Sequence, residues 1–125
     1  MFKVNFDASI EGTCLQGYAK IPPSTLKAVF GEPRLADCYK VTGEWVFQAE
    51  SGRVFTLYDY KQTSLYWHNS GFEAPTPEEF WSLTIPVEFD IGGQNYEPGA
   101  VTSDDFIDWL LAQIKNYSPM EKGNE

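Results

Sequence analysis

The sequence predicts one α+β domain over residues 1–117, an antiparallel sheet of about five strands with two or three helices packed mainly on one face. Three observations predict it. The chain has 125 residues, 42% of them apolar and 16% aromatic, which is enough for a single core because aromatic rings bury large areas. Several segments alternate apolar and polar residues with period two between turn residues, the mark of strands with one wet face. Other segments carry helix start or stop signals around apolar residues spaced three and four apart.

The first strand pattern is Phe2, Val4 and Phe6 against Lys3, Asn5 and Asp7. Glu11-Gly12 offers a turn. Leu15, Gly17, Ala19 and Ile21 then share a face opposite Cys14, Gln16, Tyr18 and Lys20, a second strand expected to pair with the first as a hairpin. Pro23 opens a helix, because the first helical turn needs no proline N–H, and Leu26, Val29 and Phe30 form its buried stripe. Gly31 suits the left-handed position after the helix, and Pro33 prevents continuation.

Residues 40–61 carry the strongest pattern, a long hairpin turning at Ser51-Gly52. Its return strand is apolar on both faces through Phe55, Leu57 and Tyr58, which suits a central strand covered on one side by helices. Residues 62–75 lack periodicity and read as the longest loop. Thr76-Pro77-Glu78-Glu79 starts a short helix holding Phe80 and Trp81. Val87, Phe89 and Ile91 alternate with Glu88 and Asp90, a strand closed by Gly92-Gly93. Thr102 or Ser103 caps the last helix, with Asp104 and Asp105 in its first turn, where the helix dipole favours acids. Its buried stripe is Phe106, Ile107, Leu110, Leu111 and Ile114. Residues 118–125 read as a polar, frayed tail.

Charge bounds the partners. No Lys or Arg lies between Lys61 and Lys115, while nine carboxylates do, so the net charge of −9 resides almost wholly in the second half. Such a surface repels DNA, RNA and acidic membranes and attracts basic protein surfaces. No apolar run approaches the ~20 residues of a membrane span, and Met1-Phe2-Lys3 begins a strand rather than a signal peptide. A cytoplasmic location is expected. There Cys14 and Cys38 stay reduced, as small buried hydrophobes. With His68 they could supply at most three metal ligands, without a ligand spacing, so neither metal nor cofactor is expected.

No motif states a chemistry. There is no phosphate loop with a lysine, and Gly92-Gly93 is an isolated glycine pair. Any histidine-based catalysis must use His68, which reads as a surface loop residue; an enzyme built on it is the weaker alternative. Binding features stand out more. Tyr58, Tyr60, Tyr66, Trp67 and Phe72 cluster around Lys61-Gln62-Thr63-Ser64. Rings stack planar ligands, and hydroxyls and lysines hold phosphate. Lys40, Arg53 and Lys61 on the central hairpin are the phosphate candidates. The candidate site is therefore Lys40, Arg53, Tyr58, Lys61, Thr63, Ser64, Tyr66, Trp67 and His68, with Tyr66 and Trp67 readable equally as sheet cover and Tyr58 more readily as sheet cover than as a ligand contact.

Phe30-Gly31-Glu32-Pro33, the Tyr39-Lys40-Val41-Thr42-Gly43-Glu44-Trp45 strand, the Thr56-Leu57-Tyr58-Asp59-Tyr60-Lys61 return and Ile91-Gly92-Gly93 together resemble a family of small accessory proteins of tailed bacteriophages. The resemblance covers roughly residues 13–95, with a longer segment here from Ser64 to Trp81. It implies no enzymatic activity and no catalytic residue. It implies a location in the host cytoplasm and a binding role that disarms a host defence. Two readings follow. One is sequestration of a small nucleotide immune signal, with stacking worth about 1–3 kcal/mol per base. The other is an acidic inhibitor that occupies the basic, nucleic-acid-binding surface of a host protein. A homodimer is expected in either case, since twenty aromatics exceed the need of one small core and the sheet has free edges, taken to be 1–7 and 85–91.

Overall fold

The structure, a computed structural model, describes residues 1–36, 39–67, 70–71, 73–94 and 100–117. In chain order the elements are β1 (Phe2–Val4), β2 (Thr13–Ile21), α1 (Pro23–Phe30), β3 (Glu44–Ala49), β4 (Val54–Tyr58), α2 (Ser64–Trp67), α3 (Pro77–Trp81), β5 (Val87–Gln94) and α4 (Ser103–Asn116). The five strands form one antiparallel sheet in the order β1-β3-β4-β5-β2. The fold is the expected α+β domain. His68, Cys38, Phe72 and the tail at 118–125 lie outside the described residues.

Strand order departs from the sequence reading. β1 and β2 do not form a hairpin: they occupy opposite edges, β1 against β3 and β2 against β5. Asn5 accounts for the departure, since its side-chain oxygen accepts the Asp7 N–H at 3.1 Å and turns the chain out of the sheet after three strand residues. Strand β5 is interior, so the edge assigned to 85–91 belongs instead to β2. A strand-mediated dimer would have to use β1 or β2.

Gly92 and Gly93 do not close β5 but lie within it. A Cβ at Gly92 would collide with Thr56 Oγ1, and one at Gly93 would stand 3.1 Å from the Phe55 ring. Neighbouring side chains fill the space, so here the glycines mark close packing rather than a strand end.

One sheet face carries Phe2, Trp45, Phe47, Ala49, Phe55, Leu57, Phe89, Ile91, Ala19 and Ile21, all buried, and α1, α3 and α4 add Leu26, Phe80, Phe106 and Leu110. Phe106 stacks on Phe55 with ring centroids 4.8 Å apart and 7° between planes, which seats α4 on the sheet. Both capping boxes form, Thr76 with Glu79 and Thr102 with Asp105. Leu111 is exposed, and Trp109, three residues after Phe106, packs on the core in its place. A bulge between Leu15 and Gly17 turns Leu15 onto the opposite face, 49% exposed. Cys14, beside that bulge on the edge strand, is an exposed free thiol rather than a buried one.

Residues 5–12 must cross the sheet to join its two edges. They cross the face away from α1, α3 and α4. Asn5 donates to Gln48, the Phe6 carbonyl accepts from Arg34 as that residue pairs with Glu44, and the Glu11 carbonyl accepts from Gln94. Under this strap Val46, Val54 and Thr56 are buried, and beyond it the sheet face stays open.

Candidate functional site

The open part of that face lies at the Tyr58 end of β4. A groove of about 500 Å³ there is lined by Leu15, Tyr18, Lys40, Val41, Tyr58, Tyr60, Gln62, Glu88 and Asp90. Strand pairing explains its floor. Tyr58 on β4 faces Asp90 on β5, and Asp90 faces Tyr18 on β2, so a carboxylate lies between two phenol rings across three strands. Burial is the main cause raising the Asp90 carboxyl pKa, with Glu88 and Asp59 adding to it. Tyr58 is likewise raised, first by burial and then by Asp90.

The groove's lysine end is built by the segments that flank the central hairpin. Lys61 donates its backbone N–H to the Lys40 carbonyl at 2.6 Å, and the Trp67 indole N–H donates to the Lys61 carbonyl at 2.7 Å. Pinned at both ends, Lys61 takes φ of 56°, the only positive φ at a non-glycine among the described residues. Its ammonium lies 4.7 Å from the Tyr66 ring centroid and 5.1 Å from that of Tyr60. Hydrogen bonding to Tyr66 is the largest influence raising its pKa. Tyr66 in turn packs on Tyr39 and against the edge of Trp67. Neither Lys40 nor Lys61 forms a salt bridge among the described residues, whereas Lys27 and Arg34 pair with Glu32 and Glu44.

Asp59 holds the Lys40 segment in place. The side chain is fully buried, and its Oδ1 accepts the backbone N–H groups of Thr42 at 2.8 Å and Gly43 at 3.0 Å. Its Oδ2 has no partner among the described residues, and burial raises the carboxyl pKa. Thr42 also meets Thr63, hydroxyl to hydroxyl, at 2.8 Å.

The nine sequence candidates therefore divide. Lys40 and Tyr58 line the groove, while Lys61 and Tyr66 are not among its lining residues and adjoin it through the Lys61 backbone bond to Lys40 and the Lys61 ammonium's contact with the Tyr60 ring. Arg53 does not join them. It lies at the other end of β4, roughly 17 Å away at strand rise, buried over the Phe55 ring and donating to the carbonyls of Gln94 and Val101. Thr63 is buried on Thr42, Ser64 starts α2 with its N–H on the Pro75 carbonyl, and Trp67 anchors Lys61, so these three shape the site from behind. His68 lies outside the described residues. Sequence reasoning missed Tyr18, Asp90 and Asp59. Only the β4-β5-β2 order brings the first two beside Tyr58, and no local pattern marks it.

Among the described residues no helix is long and apolar enough to cross a membrane, and no three His, Cys, Asp or Glu side chains gather as metal ligands do. No protein-family model and no curated protein matches this chain.

Proposed function

We propose that this protein is a non-enzymatic binding protein that sequesters a small nucleotide in the tyrosine-lined groove, as a phage-type counter-defence protein would remove a nucleotide immune signal. One observation carries the reading: two lysines distant in sequence, Lys40 and Lys61, are joined through the backbone beside Tyr58, Tyr60 and Tyr66. Lysines with no carboxylate partner among the described residues can hold phosphate, and neighbouring phenol rings stack a base. Glu88 and Asp90 confine the phosphate to the lysine end, since screening over about 8 Å leaves close like charges repelling it.

The acidic-inhibitor reading draws less support from the geometry. Imitation of a phosphate chain asks for one continuous acidic surface. Glu88 and Asp90 face away from the helices, while exposed Glu78, Asp104 and Asp108 belong to α3 and α4 on the other side.

Calorimetric titration with a panel of linear and cyclic nucleotides tests the proposal. Saturable heat with at least one nucleotide at micromolar protein is expected. Absence of heat across the panel would overturn it.

A further inference from the structure

Resting on that reading, we propose that the groove selects a guanine nucleotide, and that Asp90 is the residue that reads the base. The floor of the groove is a row of three side chains in direct register, Tyr58, Asp90 and Tyr18. Directly opposed residues on neighbouring strands have Cβ atoms about 5 Å apart, so the carboxylate is held between two rings. Tyr18 is 53% exposed and offers its ring to solvent. Tyr60 stands exposed on the lysine side of the same groove.

An ionised carboxylate has only acceptors. It therefore discriminates bases by their donors. Guanine carries two adjacent donors, N1–H and the 2-amino group, and a carboxylate can accept both at once. Adenine and cytosine set an amino donor beside a ring-nitrogen lone pair, which would face the carboxylate's own lone pairs. Uracil has one N–H between two carbonyl oxygens. Only guanine among the four satisfies both carboxylate oxygens without opposing one.

The spacing fits a base at one end and phosphate at the other. Lys61 follows Tyr58 by three residues, at most about 10 Å of chain, and Asp90 is Tyr58's direct neighbour. A base on Asp90 thus leaves its phosphate within reach of Lys61 and of Lys40 beside it. The arrangement also gives the acids of this groove a task, since the same carboxylate that repels phosphate at its own end attracts guanine's donors. Partial burial raises the Asp90 carboxyl pKa, and a pair of incoming N–H donors would offset that desolvation.

The test is calorimetric titration of the full chain with matched mono-, cyclic and dinucleotides of guanine, hypoxanthine, adenine, cytosine and uracil. Wild type, Asp90→Asn and Tyr18→Ala are compared, with circular dichroism confirming that each is folded. Guanine is expected to bind at least about tenfold more tightly than the others, and hypoxanthine, which lacks the 2-amino group, more weakly than guanine. Asp90→Asn should remove most of that preference, weakening guanine and strengthening adenine, whose amino donor and ring-nitrogen lone pair an amide can match. Tyr18→Ala should weaken all bases alike, as loss of a stacking surface does. Equal or tighter binding of another base, or a guanine preference that survives in folded Asp90→Asn, would overturn the inference and leave nucleotide sequestration standing. If Asp90→Asn does not fold, the wild-type ranking decides. Binding of no nucleotide at all would remove both.

Discussion

The backbone N–H of Lys61 meets the carbonyl of Lys40 at 2.6 Å, and this one hydrogen bond joins the entry and the exit of the central hairpin. It brings two basic residues together through the backbone on a chain whose net charge is −9. The join is reinforced from beneath, where Asp59 holds the N–H groups of Thr42 and Gly43, and from the side, where the Trp67 indole holds the Lys61 carbonyl. A backbone join held by the Asp59 carboxylate and the Trp67 indole thus positions Lys40 and Lys61.

Lys40→Ala and Lys61→Ala should each weaken nucleotide binding by about tenfold, the loss of one phosphate contact in a partly solvated site. Both side chains leave the core untouched, so unfolding midpoints should move little. The difference between wild type and variants should shrink as salt is raised, because the missing term is electrostatic. Titrations at two salt concentrations check this.

Lys61→Gly separates backbone from side chain. The native φ of 56° is unfavourable for lysine and open to glycine. Relief of about 1 kcal/mol in the folded state is opposed by the greater entropy of an unfolded glycine, so Lys61→Gly should be more stable than Lys61→Ala, which keeps the strain. Both should lose nucleotide affinity alike. Urea unfolding of the two variants measures the difference.

Asp59 gives the protein a pH dependence of known sign. Burial raises its folded carboxyl pKa above the unfolded value, and the N–H bonds from Gly43 and Thr42 only partly oppose this. Between the two values the folded chain binds more protons than the unfolded one, so this group's contribution to stability falls as pH rises through that window. Asp59→Asn should abolish that contribution, and its stability relative to wild type should rise as pH climbs from the ordinary aspartate range through the raised folded value. Asp59→Ala strands two buried N–H groups and should cost about 3 kcal/mol. Urea midpoints across that pH range report both effects.

Gly92→Ala should destabilise the sheet by about 1–3 kcal/mol, because the added methyl meets Thr56 Oγ1 inside the β4–β5 pair. Thermal unfolding measures it.

The sequence made some of this legible and hid the rest for physical reasons. Period two at Trp45-Phe47-Ala49 and the Thr76 and Thr102 caps are local signals, and the structure follows them. Strand order is not local. The alternation at Phe2-Val4-Phe6 looks like half of a hairpin, yet Asn5 turns the chain away and the strap at 5–12 carries it to the far edge. The candidate site shows the same division. Lys40, Tyr58, Lys61 and Tyr66 were legible as an aromatic and basic cluster. Arg53 falls in the same sequence pattern as Tyr58 and so looked like a neighbour, but it precedes the strand and its guanidinium closes the opposite end of the sheet. Asp90 and Tyr18 looked like two more wet-face residues until strand pairing set them in one row with Tyr58, Asp90 in the middle.

The central claim is that the groove between Lys61 and Asp90 is the nucleotide site. Two-dimensional amide NMR during titration with the tightest-binding nucleotide tests it most directly. We expect the shifts to concentrate at Tyr18, Lys40, Tyr58, Tyr60, Lys61 and Asp90, and to saturate together with one affinity. Shifts confined instead to the separate hollow lined by Pro33, Leu35, Leu65 and Trp81, or no shifts at all, would contradict it.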